Sequence, residues 1–320
     1  MSRAFERSFR RALDLRPDAP PSRRAGLTAL AVRLGGKRMW ASAPDTPAGL
    51  LRFRRAVDLA SRAIRVPSAV RTDREDFGLF SGVWVRAGET DEKKAVLYLH
   101  GGAYFFGGPA LYGGFSWRLS AVTRRPVLMV DYRLAPEHTP ADALADALLA
   151  YDALLARGYR AQDITVAGDS AGGHLALGLV HALKRRGTPL PAAVVALSPW
   201  ADLLCSAESH RSNELSDDLL PAAKLAWLGG VFCAEAAEDD PLFDPVRGDY
   251  TGFPPLLLIS SSTEILRDDA RLVARLATAA GAEVEHHEWI GQIHVFPVFA
   301  DYVPEAKAAL RRIGEFLTSR

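Results

Sequence analysis

Cysteine is nearly absent: Cys205 and Cys233 are the only two in 320 residues. Two thiols cannot build a disulfide framework, and they lack the clustered spacing of a zinc site, so a reducing compartment is the simplest expectation. Long apolar runs are missing too. No stretch approaches the roughly eighteen residues that a membrane span needs, which argues against stable membrane insertion. An excess of one charge is also lacking, since 39 Lys and Arg face 38 Asp and Glu, for a formal net charge of +1. A dedicated nucleic-acid binder would show a strong basic bias, so nucleic acid is not an expected partner. Neither G-x-x-x-x-G-K-[ST] nor G-x-G-x-x-G occurs, which removes the familiar glycine-rich phosphate loops. No internal repeat or low-complexity tract is present.

What remains is ordinary globular composition, 48% hydrophobic and 24% charged, at a length that suits one large α/β domain with an appendage. Residues 1–40 hold ten Lys or Arg against three acids. Ser22-Arg23-Arg24 before the apolar residues 25–32 faintly resembles a twin-arginine export signal. Arg33, Lys37 and Arg38 interrupt the segment that should stay uncharged, so export is not expected and a cytoplasmic location is. Apolar positions between Thr46 and Ile64 recur at helical spacing, and residues 77–85 alternate as a strand. Expected strands at 95–99, 126–131, 163–168, 192–198, 255–260 and 283–289 then alternate with expected helices near 112–123, 139–157, 171–186, 267–280 and 304–318. Such alternation predicts an α/β fold, a mostly parallel central sheet flanked by helices. More than fifty residues separate Ser198 from Phe253, too many for a simple crossover. Loops at the carboxyl ends of parallel strands surround the site, so this insertion should rise over it. The expected organisation is therefore N-terminal cap helices in residues 1–75 and a catalytic domain in 76–320, with 203–250 a cap insertion.

The stretch from Asp163 to Leu183 reads as strand, tight turn and helix, with Gly168-Asp169-Ser170-Ala171-Gly172 at the turn. This fits the G-x-S-x-G nucleophile elbow, whose small residues let one serine stand clear of the backbone. A serine needs a base, an orienter for that base and donors for an oxyanion. His294, at a glycine break after the last strand, has the right chain order for the base. Three carboxylates compete for the orienter: Glu264, Asp268 and Asp269. The two aspartates open a helix, where acids are favoured without any catalytic role, so Glu264 in the irregular segment is preferred. His100-Gly101-Gly102-Ala103 follows a strand and matches the HGGG-type loop, making Gly101, Gly102 and Ala103, with Ala171 after the serine, the candidate oxyanion residues. His286 and His287 fall on successive strand positions and face opposite ways, so they cannot chelate one metal.

With these motifs, and with Asp131-Tyr132-Arg133-Leu134-Ala135-Pro136-Glu137, the chain resembles bacterial esterases of the hormone-sensitive lipase family of α/β hydrolases. The resemblance implies hydrolysis of carboxylic esters, usually of short acyl chains, without metal or organic cofactor. It also implies oxyanion donors at Gly102, Ala103 and Ala171. Two positions depart from the family pattern: Ala103 replaces a third glycine, and Glu264-Ile265-Leu266 stands where Asp-Pro-Leu is usual. A backbone donor tolerates alanine provided φ is not strongly positive. The expected activity is a serine carboxylesterase acting through an acyl-enzyme on a small-molecule ester, and a homodimer is compatible with it. An amidase, lactonase or deacetylase would use the same residues, whereas a noncatalytic receptor on this fold would have lost the serine or the histidine.

Overall fold

A computed structural model describes residues 15–234, 245–318 and 320. Residues 235–244 of the insertion and residues 1–14 of the basic N-terminal stretch lie outside the described residues.

Eight strands form one sheet in the order β1-β2-β4-β3-β5-β6-β7-β8. They are β1 (Arg71–Asp76), β2 (Ser81–Arg86), β3 (Ala95–Leu99), β4 (Val127–Asp131), β5 (Ile164–Asp169), β6 (Ala193–Leu197), β7 (Leu256–Ser261) and β8 (Val284–Trp289). From β4 to β8 every neighbouring pair is parallel, and β1 and β2 add an antiparallel edge. Strands β3 to β7 are largely apolar and buried on both faces because helices cover both, whereas the edge strand β8, Val-Glu-His-His-Glu-Trp, is only half-buried. Val96 and Tyr98 pack with Val127 and Met129 toward α4 (Gly113–Thr123) and α10 (Pro304–Thr318), whereas Leu97 and Leu99 join Leu128 and Val130 toward α5 (Pro140–Ala156) and α6 (Ala171–Arg186). Period-two alternation thus divides the core into two layers.

The sequence expectation misses β1. Arg-Thr-Asp-Arg-Glu-Asp shows no apolar alternation, and its residues are mostly exposed; the strand exists because its backbone pairs with β2 at the sheet edge. Charged side chains suit an edge that must not recruit another strand. Phe77–Phe80, expected within the next strand, instead form the connecting turn, with Phe77 N–H donating to Phe80 O at 3.1 Å.

Before the sheet come α1 (Arg23–Val32), a π-helical turn (Arg33–Lys37), α2 (Arg38–Ser42) and α3 (Pro47–Ser61). Thr46 caps α3 by accepting from Gly49 N–H at 3.1 Å, and Pro47 takes the first helical position. The insertion after β6 carries α7 (Ser209–Ser212) and α8 (Ala222–Cys233), and α9 (Arg267–Ala279) follows β7. The N-terminal segment and the insertion touch. Arg33 Nε lies 2.7 Å from Asp218 Oδ1, Lys37 Nζ donates to the carbonyls of Glu214 and Asp217 at 2.9 and 2.6 Å, and buried Lys224 binds Ala43 O and Asp45. Among the described residues no helix is long and apolar enough to cross a membrane.

Candidate active site

β5 ends at Asp169 and α6 begins at Ala171, so Ser170 is the joint between strand and helix. Its φ of 52° and ψ of −120° lie outside the regions an L-residue favours. Strain of that kind amounts to about 1–3 kcal/mol and persists only where the surroundings impose it. Here Ser170 N–H donates to Leu197 O at 2.8 Å, while its carbonyl accepts from His174 N–H and Trp200 N–H at 3.0 Å each. Gly172 lies so close beneath the end of β3 that a Cβ would overlap the carbonyl oxygens of Leu99 and His100. The helix start is therefore pressed against the glycine loop.

That loop is fastened by Asp169. Its Oδ1 accepts from Tyr98 OH at 2.8 Å and Gly101 N–H at 2.9 Å, and its Oδ2 accepts from Tyr112 OH at 2.6 Å. Burial raises the Asp169 pKa to about 6, although the hydrogen bonds from Tyr112, Tyr98 and Gly101 oppose the rise. Sequence reasoning gave Asp169 no part, because two of its partners are tyrosines distant in the chain. The Gly101 N–H, which also reaches Tyr112 OH at 2.9 Å, is committed here. This corrects the expectation that Gly101 serves as an oxyanion donor. By contrast, the N–H groups of Gly102, Ala103 and Ala171 have no intramolecular acceptor among the described residues. Gly102 has a φ of 116° that only glycine adopts readily, and Ala103 and Tyr104 follow at 48° and 62°. Ala103 thus takes a positive φ in place of the expected negative one; it falls in the small left-handed region, at a cost of about 1–2 kcal/mol. His100 stacks on Tyr132 with ring centroids 4.3 Å apart, and burial lowers its pKa to about 4. The neutral ring donates from Nδ1 to Gly101 O at 2.7 Å.

The loops after β7 and β8 bring Glu264 and His294 together. His294 Nδ1 lies 2.7 Å from Glu264 Oε2, and Glu264 Oε1 accepts Ser261 N–H at 2.7 Å. Both side chains are buried. Ser261 Oγ donates to Gln292 O at 2.6 Å and accepts from Gln292 N–H at 3.0 Å, so the two loops are joined directly. Asp217 and Asn213 of the insertion hold the same segment, Asp217 Oδ2 accepting Ile265 N–H at 2.8 Å and Asn213 Nδ2 donating to Glu264 O at 2.9 Å. Burial would lower the His294 pKa, but the Glu264 hydrogen bond and the charges of Glu264, Asp217 and Asp169 outweigh it and leave the pKa raised. Its Nε2 is buried with no hydrogen-bond partner among the described residues. Asp268, the competing carboxylate, is engaged elsewhere: it accepts Ser209 N–H at 3.0 Å and pairs with Arg267 at 2.8 Å. Asp269 pairs with His210 at 2.9 Å.

A buried imidazole oriented by a carboxylate, a serine on a strained elbow and three unclaimed N–H groups can activate a hydroxyl and stabilise an oxyanion. The fold and this constellation define the class, an α/β hydrolase. Comparison with known proteins narrows it. A family model described as the alpha/beta hydrolase fold matches residues 96–298. An acetyl-hydrolase of Streptomyces hygroscopicus is 40% identical over 234 residues, covering 73% of this chain and 78% of that protein. The esterase LipU of Mycobacterium tuberculosis is 39% identical over 231 residues, covering 70% and 77%. Among solved structures, an esterase from the bacterial hormone-sensitive lipase family superposes with a TM-score of 0.83 at 33% identity, covering 91% of this chain and 97% of that one. The chain belongs to the bacterial hormone-sensitive lipase family of α/β hydrolases, and it is a carboxylic ester hydrolase.

Proposed function

We propose that this carboxylesterase works through an acyl-enzyme on Ser170, with His294 as base and acid, Glu264 as its orienter, and Gly102, Ala103 and Ala171 as oxyanion donors. The observation that carries the reading is the buried Glu264–His294 pair at 2.7 Å with His294 Nε2 unpartnered. Ser170 Oγ attacks the ester carbonyl while its proton passes to His294 Nε2. The carbonyl oxygen becomes an oxyanion that accepts the three N–H groups. Collapse expels the alcohol, which takes the proton from His294. Water then attacks the acyl group and gives its proton to His294, and the acid leaves as Ser170 regains it. Glu264 stays ionised throughout and fixes the proton on Nδ1.

Several finer features belong to the same reading. The described parts of residues 1–75 and 203–250 form a cap, a reading supported by the contacts of Arg33, Lys37 and Lys224 between the two segments. A short acyl chain is favoured, as the name of the Streptomyces relative suggests. The enzyme works in the cytoplasm on a small-molecule ester without a nucleic-acid partner, in keeping with its two cysteines and net charge of +1.

The test is p-nitrophenyl ester hydrolysis over a series of acyl lengths, with Ser170→Ala, Glu264→Gln and Asp268→Asn beside the wild type. Loss of the nucleophile should lower kcat on the order of 10⁶-fold. Glu264→Gln should lower it on the order of 10⁴-fold, and Asp268→Asn less than about tenfold. Undiminished turnover in Ser170→Ala would sink the mechanism, and a larger loss in Asp268→Asn than in Glu264→Gln would reassign the acid.

A further inference from the structure

Arg54 lies on α3, yet its guanidinium meets the glycine loop. Nε donates to Phe105 O at 2.7 Å, and Nη2 donates to Ala135 O in the 131–137 turn. Nη1 and Nη2 also reach the two Glu137 oxygens at 3.0 and 2.8 Å. The two segments so gripped are themselves joined, because Ala135 N–H donates to Tyr104 O at 2.8 Å. The neighbouring side chains add apolar contact. Phe53 lies 5.6 and 5.3 Å from Phe105 and Phe106 between ring centroids, and Trp40 lies 6.1 and 6.0 Å from the same rings.

These contacts bear on the part of the loop that is hardest to hold. Gly102, Ala103 and Tyr104 all have positive φ, and Phe105 follows immediately. Asp169 anchors the loop before this run, at Gly101 N–H, and Arg54 anchors it after, at Phe105 O. The N–H groups of Gly102 and Ala103 lie between the two anchors. A left-handed run at a non-glycine residue relaxes unless its ends are fixed.

We propose that Arg54 is the positioning residue of the oxyanion site, so that the N-terminal segment helps to build the catalytic geometry as well as covering it. The proposal rests on the reading of Gly102 and Ala103 as oxyanion donors. Arginine suits the position because its planar fork meets two carbonyls and a carboxylate at once, which a lysine ammonium cannot do in the same geometry.

The experiment combines kinetics on p-nitrophenyl acetate with binding of an aryl trifluoromethyl ketone, whose serine adduct carries an oxyanion. Arg54→Met should lower kcat about 10²-fold with KM changed less than about threefold, the signature of displaced donors. Ketone affinity should fall by a similar factor. Arg54→Lys should recover only part of either loss, and Glu137→Gln, which keeps both carbonyl contacts, should lose less than about fivefold. Rates are taken per folded molecule, with thermal unfolding measured on each variant. A purely structural Arg54 would lower the unfolding temperature and leave kcat and ketone affinity per folded molecule unchanged, which would overturn the proposal. Should Arg54→Met not fold, a folded Arg54→Lys with wild-type kcat and ketone affinity would overturn it equally. A crystal structure of the wild-type ketone adduct separates the two readings. An adduct oxygen away from Gly102 and Ala103 would refute the donor assignment, whereas an oxygen bonded there beside an unimpaired Arg54→Met would refute only the role of Arg54.

Discussion

His294 has a pKa above its ordinary 6.5, because Glu264, Asp217 and Asp169 together outweigh the effect of burial. With the neutral ring as the proposed base, kcat/KM should rise with pH through a midpoint above 6.5, as a pH–rate profile would reveal. Glu264→Gln removes both the hydrogen bond to an ionised partner and its charge. The acid limb of that variant should therefore move to lower pH while its plateau falls; a limb that stays in place would mean that Glu264 does not govern the ring. The same raised pKa acts on folding. Its contribution to stability is complete below 6.5 and is lost as pH rises through the folded value. Asp169 acts in the same sense, which is unusual for a carboxylate. Burial raises it from 3.8 to about 6, so the folded state disfavours its charge, and its contribution to stability is complete below 3.8 and is lost as pH rises through about 6. The molecule tolerates this because the ionised Asp169 is the acceptor for Gly101 N–H and two tyrosines.

Among the elements, α6 shows how closely a helix start is bound to its surroundings. Alanine exceeds glycine in helix propensity by about 1 kcal/mol, so Gly172→Ala would stabilise an isolated helix. In this fold the added Cβ would overlap the Leu99 and His100 carbonyl oxygens, which belong to backbone and cannot step aside cheaply. Sterics should therefore win over propensity. Gly172→Ala is expected to destabilise the protein by about 2 kcal/mol or more, read from urea unfolding, and to reduce turnover by displacing the glycine loop. A variant as stable and as active as the parent would show that the strand end yields. Elsewhere, α7 is tied to the start of α9 by the buried His210–Asp269 pair, 2.9 Å apart. Burial opposes charging of His210, but the hydrogen bonds and charges of Asp269 and Cys205 outweigh it and raise its pKa, so the ring pairs with Asp269 in its charged form at neutral pH.

For the whole molecule, the main consequence is that the chain's first described helices brace loops formed much later. Arg54 grips Phe105 and Ala135, and Lys37 donates to the carbonyls of Glu214 and Asp217. Asp217 in turn accepts Ile265 N–H beside Glu264. Removing residues 1–66 would uncover Phe105 and Phe106 and leave buried Lys224 without Ala43 O and Asp45. The truncated chain should bind a hydrophobic dye strongly and lose activity on the order of 10²-fold or more. Full turnover with no added dye binding would reduce the N-terminal segment to a dispensable cover.

The sequence by itself determined the fold class and the residues to inspect, because these rest on local patterns. Apolar strands alternating with helical spacing predict a parallel sheet covered on both faces, and small residues on either side of Ser170 predict an elbow. The charged strand β1 escaped because only backbone pairing with β2 makes it a strand. Tertiary structure alone decided what each candidate faces. Glu264 meets His294 while Asp268 turns to Ser209 and Arg267, a distinction that neighbouring acids on one segment do not reveal. Gly101 is claimed by Asp169, although the two stand 68 positions apart, and Ala103 takes a positive φ inside a loop held at both ends. Arg54 is one of several arginines on an amphipathic helix. Its hold on Phe105 appears only once the helix has packed, since hydrogen bonds between distant segments depend on a three-dimensional register that no local period encodes.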